Sequence, residues 1–258
     1  MKYLKKFNQH LNYSSYLTSS SYNQIINEDK DSIVAYCLNE YEVHYNKWID
    51  PYNGHEYIEI GGKKWATMNV GANNITDTGL YFQWGDIKGY TTNQVGSGSG
   101  KKYFGWADYK YNSDGTSPTD ADIIKYNNTD GKTVLDEEDD AVTAIWGGNW
   151  RMPTKNEYVA LGAAVNTEWT ADYQGSGVAG LVCTDKVDSS KVLFFPACGS
   201  CYNGNVYDID SYSYYWSSSR ISNDLDGAWH LSFDNDEVYW EGNSGRYFIG
   251  SPVRGIAD

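Results

Sequence analysis

Cys198-Gly-Ser-Cys201 is the tightest pair of reactive side chains in the sequence. A C-x-x-C spacing serves a redox couple or half of a zinc site. Zinc asks for about four ligands, and no second C-x-x-C or His-x-x-x-His stands nearby. A thioredoxin-type couple needs a βαβ pattern around it, which is absent. The pair is expected as two cysteines in a turn after a buried strand. Cys37 and Cys183 are read as small buried residues, since four cysteines in 258 residues do not make a disulfide scaffold.

Carboxylates supply the next candidates. Asp234, Asp236 and Glu237 stand within four positions. Calcium takes about six to eight oxygen ligands, and such a loop would offer some of them. The simpler reading is a polar hairpin turn between Ser232-Phe233 and Val238-Tyr239-Trp240. The run Asp136–Asp140 reads as a helix start rather than a metal site. No cofactor is expected, with calcium as the one ion these acids would suit. The histidines His10, His44, His55 and His230 are dispersed. No Ser/His/Asp arrangement is legible, and Gly96-Ser-Gly-Ser-Gly100 lacks the Lys-Ser/Thr end of a phosphate loop. A glycosidase needs two carboxylates a few Å apart, and sequence alone cannot pair them. The expectation is a chain that is not an enzyme.

Recognition chemistry is better represented. From Tyr202 to Tyr247 the chain mixes Tyr, Trp, Asn, Ser, Asp and Gly, the mixture found in binding loops. Rigid aromatics give contact area at low entropic cost, small polar residues adapt, and flat rings suit sugar rings. Tyr207, Tyr212, Tyr214, Trp229, Tyr239, Trp240, Asn243 and Tyr247 are the candidate ligand contacts. Several must also fill the core, because Leu and Ile are scarce.

The composition sets what can carry these residues. With 20 Lys+Arg against 34 Asp+Glu, the net charge is −14. Binding nucleic acid through phosphates needs a basic face and is not expected. Aromatics make up 16% of the chain, which rules out intrinsic disorder. Ten Trp and 24 Tyr supply the apolar burial, and 26 Gly mark a turn-rich fold. Apolar runs such as Val192–Phe195 fall far short of the ~18 residues of a membrane span. The start has the positive charges of a signal peptide but not its apolar core of ~7–15 residues, so Sec-dependent export is not expected.

Residues 51–258 read as an α+β domain. Tyr57–Ile60 and Lys64–Val70 form a hairpin across Gly61-Gly62. Tyr81–Trp84 reads as a strand, and the stretch from Asn93 to Gly100 as a mobile loop. A helix over Ala141–Trp146 follows the acidic run, with Gly147 at its end. A second helix begins at Thr154, where Glu157 completes a capping box. Tyr158, Leu161 and Val165 share one of its faces. Short strands follow near Gly180–Thr184, Val192–Phe195, Tyr214–Ser218, Ala228–Phe233, Glu237–Trp240 and Ser251–Gly255. No repeat is evident. Arg151 offers a planar fork to an indole, to carbonyls or to a carboxylate, and Arg254 is expected to pair with Asp139 or Asp140.

Residues 1–50 differ, with one Trp and no Gly. Leu4, Phe7 and Leu11 fit a short amphipathic helix. Ile33–Leu38 and Tyr41–Tyr45 fit a hairpin across Asn39-Glu40. So small a unit buries too little to stand alone. It is expected to dock or assemble through Tyr36, Leu38, Val43 and Tyr45, giving a homo-oligomer. Asp50–Gly54 reads as the linker.

Four stretches, in order, carry a resemblance. They are Lys64–Ala72, Asp139–Thr154 with its Trp146-Gly-Gly-Asn-Trp-Arg-Met-Pro-Thr154, Phe195–Gly199, and Tyr215–Ser219 followed by Pro252–Gly255. Over roughly residues 55–258 the chain resembles the Fibrobacter succinogenes major paralogous domain, common in gut Bacteroidetes and their phages. That likeness implies a C-type-lectin-like fold, distantly similar to the formylglycine-generating enzymes. The latter use cysteines nearer the C-terminal end, and nothing after Cys201 is a cysteine, so that activity is not carried over. The Glu-Pro-Asn and Trp-Asn-Asp signatures of calcium-dependent lectins are also missing. Tyr36–Glu40 and Val43–Asn46 look like the start of virion proteins of phages infecting those bacteria. The resemblance implies a phage structural protein, a head fibre or a capsid or tail decoration. It would be made in the host cytoplasm and carried on the particle surface. Its partners would be other virion proteins through residues 1–50 and a glycan or cell surface, without membrane insertion. A bacterial surface glycan-binding module is the alternative.

Overall fold

The computed structural model describes residues 52–258, apart from 120 and 121. The docking residues Tyr36, Leu38, Val43 and Tyr45, and the helix and hairpin expected around them, lie outside the described residues. Among the described residues the architecture is α+β, mostly sheet with two α-helices.

The first hairpin pairs β1 (Tyr57–Ile60) with β2 (Lys63–Asn69). Gly61 and Gly62 both take positive φ, 62° and 75°, as a tight type I′ turn requires. The chain's last strand, β11 (Arg254–Ala257), closes on the other side of β2. It is buried throughout, with Ile256 opposite Trp65.

Both expected helices form. α1 (Ala141–Trp146) is capped by the Asp140 carboxylate, which accepts from the amides of Val142 and Thr143. α2 (Lys155–Ala164) carries the full Thr154/Glu157 capping box. Tyr158, Leu161 and Val165 are buried as the face predicted.

Two further sheets follow. The first is β3 (Val165–Thr170), β4 (Gly180–Asp185) and β5 (Val192–Pro196), all antiparallel. The second, ordered β10-β9-β8-β6-β7, is built from β6 (Cys198–Tyr202), β7 (Asn205–Ile209), β8 (Tyr212–Arg220), β9 (Gly227–Asp234) and β10 (Val238–Arg246). α2 lies against β8, β9 and β10.

Aromatics fill the interior. One cluster gathers Phe82, Trp84, Tyr126, Trp150, Trp216 and Tyr247. Another gathers Trp65, Tyr158, Phe195, Tyr215, Leu231 and Phe233. Trp146 and Trp150 meet edge to face at 5.4 Å across the Gly-Gly turn.

Several expectations are corrected. Tyr81–Trp84 is not a strand. Its backbone divides among three partners, with Tyr81 bonded to Tyr90, Phe82 to Ser251 and Trp84 to Tyr247, so no single ladder forms. All four side chains are buried. The stretch from Asn93 is tied down by a 3-10 turn at Thr92–Gln94 and a bridge between Val95 and Lys102. Of the expected linker, Tyr52 and Asn53 belong to the domain. The Tyr52 carbonyl accepts from the Trp150 indole at 2.7 Å, and the Asn53 amide donates to the Trp146 carbonyl.

Arg254 pairs with neither Asp139 nor Asp140. It is fully buried and donates to Asn69 Oδ1 (2.9 Å) and to the carbonyls of Ala66, Thr67 and Phe194 (2.9, 3.0 and 3.0 Å). One guanidinium thus joins β2, β5 and β11. Its planar fork reaches carbonyls in different strands at once, which no ammonium group does.

Candidate functional site

The five-stranded sheet sorts the predicted residues by side. Along β8, Ser213 and Tyr215 turn into the interior while Tyr212 and Tyr214 take the other face, half-buried. Along β9, Leu231 and Phe233 point inward, leaving His230, Ser232 and Asp234 on the face of the tyrosines. Cross-strand register assembles them: Tyr212 opposes Asp234, Tyr214 opposes Ser232, and Tyr239 of β10 opposes Ser232 from the far side. The Tyr212 and Tyr214 rings are 4.7 Å apart. Tyr207 of β7 stacks on Tyr202 at 4.2 Å. Desolvation pushes the Tyr202 phenol up, and Tyr207, Asp208 and Tyr214 add to it. Tyr202, Tyr207, Tyr212, Tyr214 and Tyr239 therefore share one face. Tyr239 is the most open of the five, at 51% exposure.

His230 sits in the floor of this face. Gly242 opposes it across the β9–β10 ladder, and the register slips by one residue on each side of Gly242. A Cβ at Gly242 would lie 2.5 Å from His230 Nε2 and 2.9 Å from Ser232 Oγ. A Cβ at Gly245 would lie 2.9 Å from Nδ1 and 2.5 Å from the Trp216 indole. The imidazole occupies a notch that two bulges and two glycines create. Nδ1 faces the Ala228 carbonyl at 3.3 Å, while the buried Nε2 has no hydrogen-bond partner among the described residues. Burial lowers the His230 pKa to about 4. The ring is neutral at pH 7, with Nδ1–H the donor to Ala228 and Nε2 a bare acceptor.

The remaining candidates lie elsewhere. Trp229 points away from His230, towards α2, with Lys155 Nζ 4.2 Å over its ring. It borders a cleft of about 360 Å³ with Lys155, Asn156 and Ser219. Trp240 packs on α2, where a Cβ at Gly162 would come within 2.6 Å of its indole. Asn243 is exposed on β10. Tyr247 is corrected to a core residue. It is fully buried, stacked 4.6 Å from Trp84, and its hydroxyl accepts from Arg220 Nε at 3.0 Å and donates to the Tyr126 carbonyl. It follows the end of β10, where the chain turns back into the interior.

The charged and thiol groups have structural work. Arg151 grips Glu157 with both arms, at 2.8 and 2.6 Å, at the edge of a cleft of about 630 Å³. These bonds hold the Glu157 carboxyl down at about 2. Lys125 Nζ lies 2.8, 2.9 and 2.5 Å from Asp136, Glu138 and Asp139, so an ammonium already stands among the acids that approach one another closely enough for a cation. Asp234 Oδ1 accepts from the amides of Asp236 and Glu237, which makes the expected polar turn.

Cys198 and Cys201 are corrected from a turn to a strand, β6. Both are buried free thiols in separate clusters, Cys198 with Tyr215 and Cys201 with Tyr81 and Phe104. Burial pushes the Cys198 thiol up to about 11. Neither is a thiolate at neutral pH.

Sequence reasoning missed Tyr202 and His230. The available signal was the alternation in β9, which puts His230 in phase with Ser232 and Asp234 rather than with Leu231. No family model, curated protein or solved structure matches the chain.

Proposed function

We propose that this chain is a non-enzymatic adhesion protein whose tyrosine-lined sheet face holds glycans. In this reading residues 51–258 are a C-type-lectin-like domain. The protein is a structural component of a phage particle, a head fibre or a capsid or tail decoration. Residues 1–50 join it to other virion proteins and to further copies of itself. The resemblance of residues 55–258, and of Tyr36–Asn46, supports the family and the particle. The observation that carries the binding function is the gathering of five tyrosines from four strands on one face, around small and polar floor residues. Aromatic faces cover the C–H surfaces of sugars, while phenols and hydroxyls meet their polar edges. Many copies on one particle would turn weak single sites into firm attachment.

The test is a glycan array probed with the full chain, wild type and with Tyr214→Ala/Tyr239→Ala. Binding lost in the folded double variant supports the reading. Absence of wild-type binding, or binding unchanged in the variant, overturns it. Antibody labelling of phage particles tests the location separately: label on cells and none on particles favours the bacterial surface module.

A further inference from the structure

An amine, a carboxamide and a carboxylate meet in the interior, away from the tyrosine face. Lys102 and Gln83 are 7% and 1% exposed. Lys102 Nζ donates to Gln83 Oε1 at 2.7 Å and to the Asp108 carbonyl at 2.8 Å. The Asp108 carboxylate touches both side chains. Its Oδ2 lies 3.3 Å from Lys102 Nζ, and its Oδ1 accepts from Gln83 Nε2 at 3.2 Å. Gln83 Nε2 also donates to the carbonyls of Phe248 and Gly105. The backbone amides of Tyr103, Phe104 and Gly105 hold the carboxylate in place. The rings of Tyr90 and Phe104, 5.5 and 5.7 Å from Nζ, shield it from water.

The backbone fixes both ends of the contact. Phe82 and Trp84 are bonded to Ser251 and Tyr247, and Lys102 to Gln94 and Gly96. Gln83 Cδ stands one C=O bond beyond Oε1, so it is within about 3.9 Å of Lys102 Nζ. A small turn about the broad terminal torsion of Gln83 brings the face of its amide to that nitrogen. Groups held so in a dry site react as if at very high concentration.

We infer that Lys102 and Gln83 become joined by an isopeptide bond that the folded chain forms by itself, with Asp108 relaying the proton. Asp108 takes one proton from the Lys102 ammonium. The amine's lone pair attacks Gln83 Cδ, and the C=O π pair moves onto Oε1. Asp108 then gives its proton to the Gln83 nitrogen. The oxyanion re-forms the carbonyl, and the C–N bond breaks with its pair on the departing ammonia. That ammonia takes the second proton from the new amide nitrogen and leaves as ammonium. One amide replaces another, nothing is oxidised or reduced, and no co-reactant is consumed. The bond ties Tyr81–Trp84, which has no single ladder, to the loop around Lys102, as a disulfide would. It does not depend on what the tyrosine face holds.

The experiment is mass spectrometry of the full chain, folded, then denatured and digested with trypsin. The expected intact mass is one ammonia below that of the sequence. A succinimide at Asn53-Gly54 or Asn203-Gly204 would lose the same mass, so the digest decides. It should contain one joined species carrying Gln83 and an uncut Lys102. Lys102→Arg and Gln83→Met should abolish that species. In Asp108→Asn, refolded from denaturant and sampled over time, it should form roughly a hundredfold more slowly. Wild-type protein that yields the two peptides separately overturns the inference, even where the variants fail to fold. A joined species that persists in Lys102→Arg overturns it as well. Joining at the wild-type rate in Asp108→Asn overturns the relay.

Discussion

His230 Nε2 lies over the α-carbon of Gly242, 2.5 Å from where a methyl group would stand. Alanine at 242 meets a buried ring that cannot withdraw, since Trp216 and Gly245 bound its other side. Gly242→Ala should destabilise the domain by about 1–3 kcal/mol, the usual cost of overpacking. Urea denaturation measures it, and a variant as stable as wild type would mean the notch is slack.

The same imidazole gives stability a pH dependence. Its folded pKa is lowered to about 4, while an unfolded histidine titrates near 6.5. Between these values the unfolded chain binds the extra proton, so stability falls as pH drops from about 6.5 towards 4. The expected loss from pH 7 to pH 5 is about 2 kcal/mol. Burial raises the carboxyls of Asp140 and Asp226 towards this window, and comparison with a histidine variant cancels their share. Urea midpoints at the two pH values, for wild type and His230→Gln, isolate the effect. Equal pH slopes in the two proteins would contradict it.

Asp139 is a hub for loop residues far apart in sequence. Its carboxylate accepts from Lys110 and Tyr111 on one oxygen, and from Lys125 and Tyr126 on the other, at 2.5–2.6 Å. These partners hold its pKa far below the ordinary carboxylate value, against the opposing effect of burial. The sign follows: the contribution is present above about pH 4 and is lost as acid protonates the carboxylate. Asp139→Asn should cost about 2–3 kcal/mol at pH 7, because a neutral amide replaces the buried carboxylate on which two ammonium groups and two phenols converge. Its urea midpoint should approach that of wild type at low pH. A deficit independent of pH would show that the charge is not the cause.

Removing Arg254 orphans acceptors in two strands, β2 and β5. Arg254→Met leaves the carbonyls of Ala66, Thr67 and Phe194 and the Asn69 side-chain oxygen without this donor. The expected cost is about 3 kcal/mol or more. Arg254→Lys recovers little of it, since one ammonium cannot span those positions. Thermal melting of both variants checks this, and a Lys variant as stable as wild type would refute the stitching role.

Local signals made much of the fold legible. The Gly61-Gly62 turn, the Thr154/Glu157 capping box and the acidic start of α1 act within a few residues, so sequence fixes them. The strands left unread were β3, β6 and β7. β3 follows α2 with no turn residue between them, and β6 reads Cys-Gly-Ser-Cys-Tyr, without a β-branched residue. Tyr81–Trp84 has strand residues but no single partner strand, which is a tertiary fact. For the site, composition located the tyrosines, and only register showed which of them share a face. Tyr207, Tyr212, Tyr214 and Tyr239 do. Trp229 and Trp240 turn to α2, and Tyr247 goes inside. Nothing in the sequence announces that His230 faces Gly242, because that pairing depends on a bulge on each side of the glycine.

The most direct test of the sheet face as a binding surface is a titration of isotope-labelled protein with methyl β-galactoside and other neutral glycosides, followed residue by residue. The predicted result is a contiguous set of saturable shifts at Tyr202, Tyr207, Tyr212, Tyr214 and Tyr239. Shifts confined to Trp229, Lys155 and Arg151 on the opposite side, or no saturable shift at all, would contradict the account.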